Sequence, residues 1–422
     1  MRVPKKRGLH LVTREEDHKV TTLELFFDLV FVYAITQTTQ LMADHLTPLG
    51  IGQGVAMIAV LWWCWCAYAW LANTLHVDRG IAQLAMFAAM GTMFLVSLTI
   101  PEAFTDLPGG LYAPLMFVGC YFLVRLLHLT AYFGAARTDP ELRKTVLKMF
   151  VGLLPSVALL TAAAFFSGWV QLGIWAVALL ADYVNVFRTR SSDWRLHQPG
   201  HFAERFGLIV IIALGESIVA IGIGISSYPM SWPITLAAVF GLTLASAMWW
   251  MYFAVVAHVS EHNLKRADGV ERVRIGTDTY TFLHLPLIAG IVLVALGLKK
   301  SLLYVSDTEH HSLADGLHGT PIWALTGGLA LYLIALSGLR RRNLGSWNVQ
   351  RLVFAVVLLA ATPLLELVPA IVLVGVVALA AVALVLFERR KLVSNPGLLA
   401  PPESLTGVTF ASPVVAHPPK ES

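Results

Sequence analysis

Acidic side chains interrupt two long apolar stretches of this sequence, where charged groups are least expected. Glu24 and Asp28 fall at the start of the first stretch, and Glu216 falls in the middle of one that begins near Glu204. A carboxylate near the centre of a bilayer costs roughly 2.5–3.5 kcal/mol even on a lenient insertion scale, so such residues indicate ion or proton pathways. These carboxylates are therefore the first candidates for function.

Glu24 and Asp28 each have an alternative structural explanation. Glu24 follows Thr21 by three residues, the spacing of a capping box at a helix start. Asp28 lies about 9 Å beyond a helix start near Thr22 and shares a face with Glu24. The structural explanation for Asp28 is an internal salt bridge or a hydrogen bond with a hydroxyl group.

Glu216 lies about 18 Å along the helix from Glu204, near the predicted midplane. It is followed by Ser217, and the positions 180 residues earlier are Thr36 and Gln37. Both helices thus turn polar at mid-depth, which indicates a hydrated or protein-lined interior. The predicted pathway and ion-binding residues are Glu24, Asp28, Thr36, Gln37, Glu204, Glu216 and Ser217.

Other polar residues inside apolar stretches are predicted to form polar contacts between helices, which we call interhelical clamps. They include Arg125, Asp182 and His284. Arg125 needs a counter-ion, and either Asp182 or Glu216 could supply one. For these residues a supporting structural role is favoured.

A short metal-like pattern is His258-Val-Ser-Glu261-His262, which matches H-x-x-E-H. It falls at a predicted helix end, where solvation at the membrane interface is the more economical explanation. His258, Glu261 and His262 are therefore weak metal candidates, and neither a metal nor a cofactor is expected.

The elements that must position these residues are membrane-spanning helices. The chain is 57% hydrophobic and only 13% charged, about half the charge typical of soluble proteins. Apolar runs near twenty residues recur, each long enough to cross the hydrocarbon as a helix. We predict twelve spans, with ten as the alternative: 22–44, 51–73, 80–100, 111–133, 146–166, 169–187, 204–225, 233–258, 279–298, 320–338, 349–367 and 369–388.

Lysine and arginine concentrate in alternate loops, which predicts the orientation. The N-terminus carries six of them, and among the opposite loops only that near 299–319 carries any, Lys299 and Lys300. Both termini are predicted to be cytoplasmic, in a bacterial inner membrane. The predicted organisation is a basic N-terminus (1–21), a membrane repeat (22–190), a linker (191–203), a second repeat (204–390) and a disordered tail (391–422).

The two repeats are predicted from a match at a spacing of 180 residues. Glu, Phe and Val recur in register in Glu24-LFFDLV and Glu204-RFGLIV. Six spans in each copy would make the repeats parallel. The fold class is therefore an all-α polytopic membrane protein with about twelve transmembrane helices in two parallel six-helix repeats.

The segments Glu24-LFFDLVFVYAITQ, Glu204-RFGLIVIIALGES and Tyr280-TFLHLP resemble the signature of the bacterial low-temperature-requirement A protein family. That family is named for growth in the cold, so the resemblance implies the fold more than an activity.

Three functions are compatible with these residues. The first is a transporter or channel for a cation or proton-coupled solute along the first and seventh helices. The second is a metal-dependent membrane enzyme, and the third is a non-transporting scaffold or stress factor. The expected partners are the lipid bilayer, a small cation or solute and a second copy of the chain, with no nucleic acid.

Overall fold

The computed structural model of the protein describes residues 19–75, 77–189 and 194–394. Most of the predicted N-terminus (1–21) and of the predicted tail (391–422), and the first residues of the predicted linker (191–193), lie outside the described residues. Within the described residues the chain is helical and forms no β-sheet.

Twelve helices account for most of the described chain, one for each predicted span. They are α1 (Thr22–Asp44), α2 (Pro48–Thr74), α3 (Gly80–Thr99), α4 (Ala113–Ala135), α5 (Pro140–Ala163), α6 (Gly168–Thr189), α7 (Pro199–Ile225), α8 (Trp232–Arg266), α9 (Gly269–Ser306), α10 (Thr320–Leu344), α11 (Val349–Leu365) and α12 (Ala370–Ser394).

The helices α8 and α9 differ most from the prediction, because each contains a π-helical turn and is longer than expected. The turns are Tyr252–Val256 in α8 and Gly276–Phe282 in α9. The predicted start of the loop at 299–319 is therefore wrong. The helix α9 continues to Ser306, so Lys299 and Lys300 lie inside it. The connections that follow α1, α3, α5, α7, α9 and α11 consequently contain no lysine or arginine.

The surface of the helix bundle is apolar, as expected for contact with lipid. Eleven of the helices in the described residues are long and apolar enough to cross a membrane, and α11 is a shorter apolar helix of 17 residues. Large hydrophobic side chains are exposed around the bundle, for example Trp232 at 86% and Leu111 at 75%. The protein is therefore a multi-pass membrane protein.

The two halves of the chain pack their helices in corresponding pairs. In the first half α1 packs on α2 and α3, α3 on α4, α4 on α5, and α2 on α6. In the second half α7 packs on α8 and α9, α9 on α10, α10 on α11, and α8 on α12. Although the contact between α9 and α12 has no comparable counterpart between α3 and α6, each of these five pairs equals a pair of the first half shifted by six helices. A duplication predicts this arrangement, and the duplication itself stays a prediction.

The tightest helix contact is that between α9 and α10, where glycines let the backbones approach. A Cβ atom at Gly290 would lie 2.7 Å from the carbonyl oxygen of Gly328, and one at Gly328 would lie 2.8 Å from the amide nitrogen of Val294. Small residues at the contact let van der Waals packing stabilise helix pairs in lipid. On its other side, α9 packs against α7.

Candidate functional site between α1 and α7

The start of α1 is fixed by its own cap. The hydroxyl of Thr21 accepts a hydrogen bond from the Glu24 amide, and the Glu24 carboxylate accepts one of 2.8 Å from the Thr21 amide. The predicted capping box is thus confirmed. Glu24 is nevertheless only 1% exposed, so solvation at the interface does not account for its charge.

The charge of Glu24 and Asp28 is balanced by a residue of α7, Arg205. Its Nη2 donates to Asp28 Oδ1 at 2.7 Å, and its Nη1 donates to Glu24 Oε1 at 3.4 Å. His201 Nε2 lies 3.1 Å from the same carboxylate of Glu24. Trp65 of α2 donates from Nε1 to Asp28 Oδ1 at 2.8 Å. We call Glu24, Asp28, His201 and Arg205 the ion-pair cluster.

The ion-pair cluster is buried, but not all of its polar atoms have hydrogen-bond partners. Glu24, Asp28 and Arg205 are each 1% exposed, so their attraction is screened little by water. Asp28 Oδ2 and Arg205 Nε are buried and have no hydrogen-bond partner. The internal salt bridge considered for Asp28 is therefore present, and one carboxylate oxygen remains available.

Glu216 lies beside α1 at the opposite end of the same helix contact. The hydroxyl of Thr36 donates to Glu216 Oε2 at 2.6 Å, and Thr39, whose hydroxyl donates to the Ile35 carbonyl, also lies near the carboxylate. Glu216 is 4% exposed, whereas Gln37 is half-buried. Ser217 is fully buried, and its hydroxyl has no hydrogen-bond partner.

Polar groups continue from Glu216 along α1 to the end of that helix. Lys299 Nζ donates to Gln40 Oε1, and Gln40 Nε2 donates to the exposed Asp44 at 2.7 Å. Lys299 is also close enough to Glu216 and Asp44 to interact electrostatically. We call Thr36, Gln40, Asp44 and Lys299 the polar row. It spans about 12 Å along α1.

Apolar side chains separate the polar row from the ion-pair cluster. A small cavity of about 20 Å³ lies between them, with a lining that includes Phe31, Ile35, Trp62 and Ile209. The ring of Phe206 packs against Trp65 at 4.8 Å between ring centres. A space of this size has room for about one water. The contact between α1 and α7 is therefore closed in this conformation.

The contacts between α1 and α7 join positions close to 180 residues apart at both levels. Arg205 contacts Glu24 and Asp28 near the helix starts, and Glu216 contacts Thr36 further along. The two helices are therefore parallel and in register. Glu204, predicted as a pathway residue, is exposed and accepts a hydrogen bond of 3.4 Å from the Val20 amide.

The predicted support residues lie outside this helix contact. Asp182 accepts from Tyr121 at 2.9 Å and from Ser156 at 3.0 Å, and Arg125 lies within electrostatic range of Asp182. The choice left open for Arg125 thus falls on Asp182. His284 binds the Tyr252 hydroxyl and the Thr279 carbonyl, both at 2.8 Å. The contacts of Asp182 and the contact of His284 with Tyr252 join different helices, as expected for interhelical clamps.

The weak metal candidates do not converge. His258 Nδ1 contacts the Phe253 carbonyl at 2.9 Å, and Glu261 pairs with Lys265 at 2.7 Å. Among the described residues, no group of three or more histidine, cysteine, aspartate or glutamate side chains could hold a metal ion.

Five residues of the ion-pair cluster and the polar row were not among the predicted site residues, namely His201, Arg205, Gln40, Asp44 and Lys299. Arg205 stands inside the repeated motif that opens α7, and a basic residue there is a signal for a buried carboxylate partner. Lys299 was assigned to a loop, because the helix continues for eight residues, about two turns, beyond the predicted end of its span at 298.

The comparisons agree with the fold and the α1 and α7 motifs. A family model described as bacterial low temperature requirement A protein matches residues 19–386. An uncharacterized protein of Rhizobium meliloti (strain 1021) is 28% identical over 323 residues, which cover 73% of this chain and 76% of that protein. No solved structure matches this chain. Since the match includes both motifs and nearly every described helix, the chain belongs to the bacterial low temperature requirement A protein family.

Proposed function

We propose that this protein moves a small cation, or a solute coupled to protons, across the membrane along the contact between α1 and α7. The observation that carries the proposal is the Glu216 carboxylate, which lies well inside α7 and is held by the Thr36 hydroxyl at 2.6 Å. A carboxylate at that depth is costly, so it is retained for a task that needs its charge or its proton.

The polar row supports access to Glu216 from one side. Gln40, Lys299 and the exposed Asp44 form a hydrogen-bonded series from the end of α1 towards Thr36. A cation or proton that enters at Asp44 finds oxygen ligands at intervals of about one helical turn. In this proposal Lys299 competes with the cation for Glu216 and leaves when the cation binds.

The ion-pair cluster supports closure on the other side. Arg205 joins α7 to Glu24 and Asp28 of α1, and the aromatic packing of Phe206 lies directly behind it. Transport requires these groups to separate while the cargo is released. The unpartnered Asp28 Oδ2 offers a first ligand to a cation on that route.

The test is flux into proteoliposomes that contain the purified protein and a trapped pH-sensitive dye, under imposed H⁺, Na⁺ or K⁺ gradients. Glu216→Gln keeps the size and the hydrogen bond of Glu216 but removes its charge and its proton exchange. We expect its flux to fall to that of protein-free vesicles. Glu204→Gln is the matched control, because Glu204 is exposed at the start of the same helix.

Two results would overturn the proposal. One is flux through Glu216→Gln equal to that of the wild type. The other is no flux by the wild type in any gradient, which would favour the scaffold role, since a sealed cluster such as that around Arg205 also suits a purely structural contact.

A further inference from the structure

A second cavity lies away from the α1 and α7 contact. It has a volume of about 60 Å³ and is bordered by α2, α4, α5, α6 and α9. Its lining includes Trp63, Trp70 and Trp194 together with Arg125 and His128. At about 30 Å³ per water, this space has room for about two waters or one small molecule.

Buried hydrogen-bond donors without acceptors are concentrated around this cavity. Arg125 Nε and Trp63 Nε1 have no partner, although the two residues are 4% and 5% exposed. His128 lies beside the Ala67 carbonyl, and neither of its ring nitrogens has a hydrogen bond of normal geometry. Native proteins satisfy nearly all such groups, so the cluster indicates a missing acceptor.

Asp182, the acidic residue beside Arg125, is already engaged by other helices. Asp182 lies within electrostatic range of Arg125, but its Oδ2 accepts hydrogen bonds from Tyr121 and Ser156. The Arg125 guanidinium instead lies over the Trp63 ring, 5.4 Å from its centre. An arginine stays charged when buried, and the Nε donor of Arg125 has no hydrogen-bond acceptor among the described residues.

A π-helical turn forms one wall of the cavity. Thr277 and Thr281 belong to the turn Gly276–Phe282 of α9, and both line the space. Turns of this kind occur frequently at functional sites, where they displace a side chain from the regular helical position. This is a second feature, independent of the donors, that marks the cavity as a binding site.

We propose that this cavity binds a small carboxylate with a short apolar body, of the size of acetate. An ionised carboxylate presents only acceptors, whereas Arg125 and Trp63 present only donors. Its planar pair of oxygens matches a guanidinium, and the tryptophans suit a methyl or methylene group. The inference does not depend on transport along α1 and α7.

The experiment is fluorine NMR of trifluoroacetate added to the purified full-length protein in detergent. Binding should broaden the ligand signal, and an excess of acetate should restore its width. Trifluoroethanol, which has the same fluorinated group but no charge, should show no comparable broadening. The wild type is compared with Ala67→Leu, which adds three carbon atoms to the cavity wall, and with Arg125→Gln.

We expect both variants to lose the broadening and Arg79→Gln, at an exposed arginine, to keep it. Size-exclusion chromatography checks that Ala67→Leu folds, so the test does not rest on Arg125→Gln alone. The proposal is overturned if wild-type protein causes no broadening, if Ala67→Leu leaves it unchanged, or if trifluoroethanol broadens equally. The first of these results would mean that the cavity holds water.

Discussion

Arg205 supplies the positive charge that balances the buried carboxylates of α1. It contacts Asp28 at 2.7 Å and Glu24 at 3.4 Å, and its guanidinium lies 5.4 Å from the centre of the Trp65 ring. Desolvating two acids and one base is expensive, and their mutual attraction offsets this cost only while all members are present. The cluster therefore acts as a unit.

We predict that Arg205→Met lowers the stability by about 3–5 kcal/mol, since it leaves two buried carboxylates without a cation. The measurement is the apparent Tm of the purified protein in detergent. The triple variant Glu24→Gln, Asp28→Asn, Arg205→Met should recover most of the loss because no buried charge remains. Arg79→Met is the control: the Arg79 side chain is 75% exposed and pairs with Asp78. Equal Tm values for the single and triple variants would contradict the prediction.

At the residue scale, the sequence located the acids but not their partners. Glu24, Asp28 and Glu216 were found because a carboxylate in an apolar run is conspicuous. Arg205 lies 177 residues from Asp28 in the chain, and no local pattern reports a contact at that separation. The polar row was missed in part for the same reason, since Lys299 reaches Gln40 from α9.

At the scale of elements, the helices could be predicted much better than their contacts. The apolar runs predicted the first residues of α1 and α10, Thr22 and Thr320, correctly. The π turns in α8 and α9 could not be predicted, because their stability depends on partners from other helices. Trp62 of α2, for example, donates to the Thr281 carbonyl within the α9 turn at 2.7 Å.

The contact between α9 and α10 gives a prediction with a neighbouring control. At Gly328 an added Cβ atom would meet Leu293 Cβ at 2.7 Å, whereas at Gly327 it would meet nothing within 4 Å. We expect Gly328→Ala to destabilise the protein by about 1–3 kcal/mol through overpacking. Gly327→Ala should be neutral or stabilising, because alanine favours helix more than glycine. The measurement is the apparent Tm of each variant in detergent. A lower Tm for Gly327→Ala than for Gly328→Ala would contradict the prediction.

At the scale of the whole molecule, the charge of the connections predicts the orientation. The connections after α1, α3, α5, α7, α9 and α11 lack lysine and arginine, whereas the region between α10 and α11 follows Arg340, Arg341 and Arg342. Positive residues are retained on the cytoplasmic side during insertion. We therefore propose that the start of α1 and the end of α12 face the cytoplasm.

Cysteine labelling in intact cells tests this orientation, because the native Cys64, Cys66 and Cys120 are all buried. Glu309→Cys and Ser346→Cys introduce a thiol at exposed positions in the connections after α9 and α10. A membrane-impermeant maleimide should label Glu309→Cys at once and Ser346→Cys only after permeabilisation. The reverse pattern would invert the topology.

The register of α1 and α7 has a consequence for the origin of the protein. Thr36 and Glu216, which touch, occupy equivalent positions if the chain arose by duplication. A residue can touch its own equivalent only beside a two-fold axis. The ancestral six-helix protein would then have been a parallel homodimer with this position at its centre. In that case, fusion of its genes would have allowed one copy to keep a hydroxyl while the other acquired a carboxylate.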